Sequence, residues 1–197
     1  LLFVDAIQGL GALPLDVAET GIDALAADGH KWLLGPEGAG VFFLRAELLE
    51  TLRPLGIGWN SVVQAGDFTD TRLDLKPTAG RYEGGSYNMA GCAALAASLD
   101  WLTEIGIDRI QSRVLEMTEQ LCQRLQTLGA EIASDRAPER ASGIVSFNLP
   151  DRDPRSVRRT CRQQGVVLNC RDGRLRASPH AYVTTSDLDR LIDALQP

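Results

Sequence analysis

Apolar positions fall into two textures along the chain, short continuous runs and long stripes. Leu1 to Val4 form an apolar run that ends at Asp5, which predicts a buried strand. Ile22 to Ala27 predict a second short strand, and Val41 to Leu44 a third. Gln8 to Gly11 predict a turn or short helix. The glycine-rich segment Asp28 to Gly40, DGHKWLLGPEGAG, predicts a loop. Residues 55 to 88 carry many Gly, Thr and Asp and little periodicity, as irregular functional stretches do.

Two helical stripes follow. Leu95, Leu99, Leu102 and Ile105 share one face. Ile110, Val114, Met117, Leu121, Leu125 and Leu128 share another. Gly106 and Gly129 predict their stops. Beyond Gly129, strands are expected at Ala130–Ala133, Ile144–Phe147, Val166–Leu168 and Leu175–Ala177. Helices are expected at Pro154–Gln163 and Ser186–Leu195, the latter started by a Thr184/Asp187 capping box. The order predicts an α/β portion over residues 1–105, a connecting helix over 106–129 and a small α+β domain over 130–197.

Charge and cysteine usage narrow the function classes. A net charge of −6 disfavours a nucleic-acid partner, which needs a basic face. No apolar run approaches membrane-spanning length, so no membrane partner is expected. Cys92, Cys122, Cys161 and Cys170 form no CxxC, and only His30 and His180 could assist them. No metal site and no disulfide framework are therefore expected. The opening LLFVDAIQGLG lacks the basic region of a signal peptide, so reduced thiols and a cytoplasmic location are the expectation. The chain opens on Leu inside an apolar strand, which suggests a fragment of a longer protein or a trimmed product.

Candidate chemistry centres on Lys31. It stands between His30 and Trp32 and is followed by Leu33 and Leu34. A partly apolar setting disfavours the ammonium form and makes the amine a nucleophile for an aldehyde. The plainer reading is a loop lysine in water. Asp5, at a buried strand end, needs a cationic partner, and a protonated pyridine nitrogen would serve. The plainer reading is a carboxylate that starts a turn or caps the next helix.

Taken together, Asp5-Ala6-Ile7-Gln8, Asp28-Gly29-His30-Lys31 and Gly35-Pro36-Glu37-Gly38 resemble the D-A-x-Q, x-x-H-K and G-P-x-G elements of the class V aminotransferases. That family includes cysteine desulfurases and isopenicillin N epimerase-like enzymes. The resemblance extends over nearly the whole chain and implies a pyridoxal 5'-phosphate (PLP) enzyme of fold type I. Residues 1–105 would be the C-terminal part of its PLP-binding large domain. By resemblance, Asp5 holds the pyridine nitrogen, Gln8 the ring oxygen and His30 the phosphate, and Lys31 forms the Schiff base. Many members have Ser where this chain has Asp28. An aspartate there would repel phosphate unless turned away.

Arg81-Tyr82-Glu83-Gly84-Gly85-Ser86-Tyr87-Asn88 resembles the family's R-F-E-x-G-T-x-N segment. The resemblance implies that Ser86 reaches the phosphate of a partner's cofactor in a homodimer, with backbone N–H groups of Gly84 and Gly85 as further donors. The plainer reading is a glycine turn before a helix. Arg176, in Arg174-Leu175-Arg176-Ala177-Ser178, matches the arginine that binds a substrate α-carboxylate as a bidentate fork. Arg174 is read as a solvated neighbour and His180 as structural.

The family runs several reactions on one cofactor, so fold alone does not choose among transamination, epimerisation and lyase chemistry. Desulfurases need a cysteine on a mobile loop. Here the connection Asn169 to Arg174 is short, and Cys170 lies at a strand end. The reading is PLP-dependent chemistry on an amino-acid substrate, with Lys31 moving the α-proton. Two alternatives stand beside it: a desulfurase-type lyase, and a non-catalytic fragment that lacks the upstream half of the cofactor site.

Overall fold

A computed structural model describes residues 1–196. The chain divides into two compact units. One comprises Leu1–Gly11 and Leu15–Glu104; the other comprises Ala12–Pro14 and the chain from Ile105 onward.

The first unit is built on three strands, β1 (Phe3–Asp5), β2 (Ala24–Asp28) and β3 (Gly40–Leu44). β1 pairs parallel with β2, and β2 antiparallel with β3. Side chains alternate across a strand, so Val4, Leu25, Ala27, Val41 and Phe43 share one face and pack with Ala6, Leu10 and Ile22. The opposite face carries Phe3, Asp5, Ala26, Asp28 and Phe42. Phe3 is 61% and Phe42 43% exposed, so this second face is open within the unit.

Helix α1 (Met89–Ile105) buries Leu95 and Leu102 of the predicted stripe. Leu99 and Ile105 are half-buried. The stretch before it contains three 3-10 turns, Ala46–Leu48, Trp59–Ser61 and Ala79–Tyr82, and is otherwise largely irregular. Strand β2 runs one residue further than its apolar pattern. Asp28 still pairs with Gly40, and the loop begins at Gly29.

The second unit packs α2 (Ile107–Thr127), α3 (Pro154–Gln163) and α4 (Thr185–Leu195) with a four-stranded antiparallel sheet. Its strands are β4 (Glu131–Ile132), β5 (Val145–Asn148), β6 (Asn169–Arg171) and β7 (Arg174–Ala177), in the order β4-β5-β7-β6. The core joins Met117, Leu121 and Leu125 of α2 to Val145, Phe147, Leu175 and Leu191. Thus the helix predicted as a connector supplies core to this unit. Gly106 and Gly129 flank α2 with φ of +90° and +76°, backbone that L side chains resist. α3 starts at Pro154 behind the Asp153 cap, and Thr184 and Asp187 form the predicted box on α4.

Val166–Leu168 is not a strand; β6 lies at Asn169–Arg171 instead. Two local facts account for the shift. The Val166 N–H donates to Cys161 O at 2.9 Å and so closes the end of α3. The two-residue turn Asp172-Gly173 has positive φ at both positions, which sets the β6–β7 register outward from the turn.

Candidate cofactor site

Asp5 and Asp28 end the two parallel strands on the open sheet face, since Asp5 is opposite Ala26 and Asp28 lies two residues beyond. Both line a cavity of about 520 Å³ in the first unit, together with Phe3, Ala26, Phe42 and Glu83. Asp5 Oδ1 accepts the Ile7 N–H at 3.1 Å. Its other oxygen accepts nothing among the described residues. The Ala6 N–H donates to Ala26 O at 2.8 Å, and Leu10 N–H to Ala6 O at 2.9 Å. These bonds fix the turn that carries Gln8.

Lys31 sits on a loop held at several points. Trp32 and Leu33 are buried beside it. The Gly29 N–H donates to Ala39 O at 2.7 Å, and the Gly35 N–H to Gly29 O at 2.8 Å. Ser98 Oγ on α1 donates to Leu34 O at 3.0 Å. A Cβ at Gly29 would meet Ala39 O at 2.7 Å, and one at Gly35 would meet Leu95 Cδ1 at 2.7 Å. At Gly29 the obstacle is backbone, so only glycine permits this approach of loop to strand; at Gly35 the tip of the Leu95 side chain would have to move. Leu34 takes φ +56° to complete the turn. Lys31 Nζ makes no hydrogen bond or ion pair with the described residues.

His30 turns toward Asp28, with Nδ1 3.0 Å from Oδ1. That oxygen is shielded from solvent and receives no well-aligned hydrogen bond among the described residues. The contact is therefore an ion pair once His30 is protonated. His30 first, with backbone N–H groups of residues 29 and 30 assisting, holds the Asp28 carboxyl below the usual carboxylate range against desolvation.

Ser86 is exposed at the end of a braced segment. Asn60 N–H donates to Gly84 O at 3.2 Å, and Asn60 Nδ2 donates to Glu83 O at 3.2 Å and to Tyr87 Oη at 2.8 Å. Lys76 Nζ donates to Asn60 Oδ1 at 2.9 Å. Arg81, 7% exposed, donates to the Lys76 and Leu49 carbonyls, each at 2.6 Å. Asn60 lies in a stretch with no motif or periodicity to mark it in the sequence, whereas Glu83 stands inside the Arg81–Asn88 segment. Arg176 lies on β7 in the second unit, where its Nε donates to Ser178 Oγ at 3.3 Å.

The cavity brings Asp5 and Asp28 together; Gln8, His30, Lys31 and Ser86 lie outside its lining. A cavity of about 570 Å³ in the second unit, walled by Leu121, Leu168, Leu188 and Leu191, holds none of these residues. Of the three anchors that pyridoxal phosphate needs, this cavity meets one: Asp5 has an oxygen to offer a protonated ring nitrogen. Lys31, outside the lining, has an unpaired amine to offer an aldehyde. The phosphate anchor is not met in this cavity, whose charged lining is Asp5, Asp28 and Glu83.

Residues 1–191 match the family model for class-V aminotransferases. A protein of Methanothermobacter thermautotrophicus named as a probable cysteine desulfurase is 32% identical over the whole chain, which covers 52% of that relative. One of Pyrococcus abyssi with the same name is 27% identical, with 51% of it covered. Among solved structures, the apo cysteine desulfurase of Thermococcus onnurineus NA1 superposes with a TM-score of 0.88 at 26% identity, over 98% of this chain and 51% of that one. The cysteine desulfurase CsdA of Escherichia coli gives 0.84 at 26%, over 98% and 50%. The chain spans about half the length of the relatives it matches. Its α/β fold is part of the fold type I large domain followed by a small α+β unit. The chain belongs to the class-V aminotransferase family.

Proposed function

We propose that this chain carries the lysine-bearing part of a PLP-dependent enzyme that acts on an amino acid. The observation that carries the reading is Lys31: an unpaired amine on a loop pinned by Gly29, Gly35, Trp32 and Ser98, which follows the strand that ends in Asp28. In this reading Lys31 would hold the cofactor through its amine. Asp5 keeps the ring nitrogen protonated, and Gln8 binds the ring oxygen. The cofactor, when bound, supplies an electron sink for the substrate's α-carbon. Lys31 Nζ would take or return the α-proton. Arg176 binds the substrate carboxylate. Ser86 serves the cofactor phosphate of a second copy in a cytoplasmic homodimer, and His30 shares its charge between the phosphate of its own chain's cofactor and Asp28.

Cysteine desulfurase is the second reading, favoured by the names of the relatives. The cysteine positions weigh against it. Cys122 and Cys161 are buried in helices, and burial pushes both thiols up. Cys170 is held in the β6–β7 ladder opposite Leu175, and Cys92 lies on α1. None stands on a loop.

The test is cofactor uptake. Purified chain mixed with PLP should develop a visible absorption band, and borohydride should fix the added mass on the Lys31 peptide. Lys31→Ala should do neither. Absence of both signals in the natural chain would favour the non-catalytic fragment.

A further inference from the structure

Alternation along the β6–β7 hairpin separates two chemistries. Leu175, fully buried, faces the core with Cys170 opposite. The other face therefore carries Asn169, Arg171, Arg174 and Arg176, since Arg171 is opposite Arg174 and Asn169 is opposite Arg176. On neighbouring β5, Ser146 is opposite Arg176 and extends this face. Glu131 lies on β4, two strands from β7.

Like charges directly opposite in a ladder destabilise it. Here two guanidinium groups are opposite and a third lies two residues along, in a chain with a net charge of −6. The side chains of Arg171 and Arg174 are exposed and make no hydrogen bond or ion pair with the described residues. Arg176 feels Arg171: desolvation, and then the Arg171 charge, lower its affinity for a proton. Side chains on this face thus lie close enough to act on one ligand.

We propose that Arg171, Arg174 and Arg176 form one anion-binding face and that the substrate is an amino acid whose side chain carries a second acidic group. This rests on the reading of Arg176 as the α-carboxylate partner. Arg174 and Arg176 are two residues apart on one strand, about 7 Å between Cα atoms. Two acidic groups separated by two or three carbons match that spacing, with Arg176 on one and Arg174 and Arg171 on the other. Guanidinium is suited to the task because it stays charged and offers paired donors to each carboxylate. An acid at the second position neutralises the cross-strand repulsion that the hairpin otherwise carries.

The experiment titrates the whole chain, without cofactor, with glutarate and with butyrate, followed by calorimetry at fixed ionic strength. Glutarate should bind about tenfold more tightly than butyrate. Arg171→Gln and Arg174→Gln should remove that preference while butyrate binding stays, and Arg176→Gln should weaken both. Circular dichroism checks that each variant folds. Equal binding of the two acids, or a preference that survives Arg171→Gln and Arg174→Gln, overturns the proposal. Failure of glutarate to bind a chain that still colours with PLP overturns it and leaves the Lys31 reading standing. Selective glutarate binding by a chain that never colours sinks the Lys31 reading and leaves the anion face.

Discussion

His30 Nδ1 stands 3.0 Å from Asp28 Oδ1, one residue before the lysine on which the functional reading depends. The pair closes the C-terminal end of β2, and in the proposed reading it competes with the cofactor phosphate for the imidazolium. Replacing Asp28 with Ser removes a carboxylate from the cavity lining and releases His30. Asp28→Ser should therefore bind PLP more tightly, by about fivefold, the effect of one near charge in water. An absorbance titration of the two proteins decides it, and weaker binding by the variant would count against a phosphate near His30.

The same pair predicts a pH response. The folded Asp28 carboxyl titrates below its unfolded value, so its stabilising effect is fully present above the unfolded value. It is lost as pH falls through the lowered folded value. His30→Asn should move the Asp28 titration back up, seen by carboxyl NMR. An unchanged titration would mean that the neighbouring backbone N–H groups, not the imidazole, hold it down.

Loop rigidity at Lys31 depends on glycines that touch backbone. Gly29→Ala sets a methyl 2.7 Å from Ala39 O and should cost about 1–3 kcal/mol in chemical unfolding of the first unit. PLP uptake should fall with it. A variant of natural stability and uptake would show that the loop shifts without penalty.

In the second unit, Phe147 is fully buried in the core between sheet and helices. Phe147→Ala should destabilise it by about 3–5 kcal/mol. Thr184→Ala, which removes an accepted N–H bond from Asp187 at the start of α4, should cost about 1 kcal/mol. Thermal unfolding of both variants checks the ranking.

Cys170 separates the two catalytic readings. Its place in the ladder opposite Leu175 gives it a structural role, so Cys170→Ser should leave PLP-dependent turnover of an amino acid intact. Loss of sulfide release from cysteine in that variant would restore the desulfurase reading.

Periodicity in the sequence determined much of this protein. Stripes such as Ile110 to Leu125 and caps such as Thr184 and Asp187 act over one or two turns, so their elements were legible within a residue or two. Motif spacing determined the family through Asp5, Gln8, His30 and Lys31. Val166–Leu168 has the apolar content of a strand without being one, because composition does not reveal that the Val166 N–H is already used to close α3. Only the tertiary structure decided that Asp5 and Asp28 share a sheet face, that His30 turns to Asp28, and that Asn60 and Arg81 brace the segment before Ser86. Those relations depend on strand register and on hydrogen bonds between residues far apart in the chain, and no local pattern encodes either.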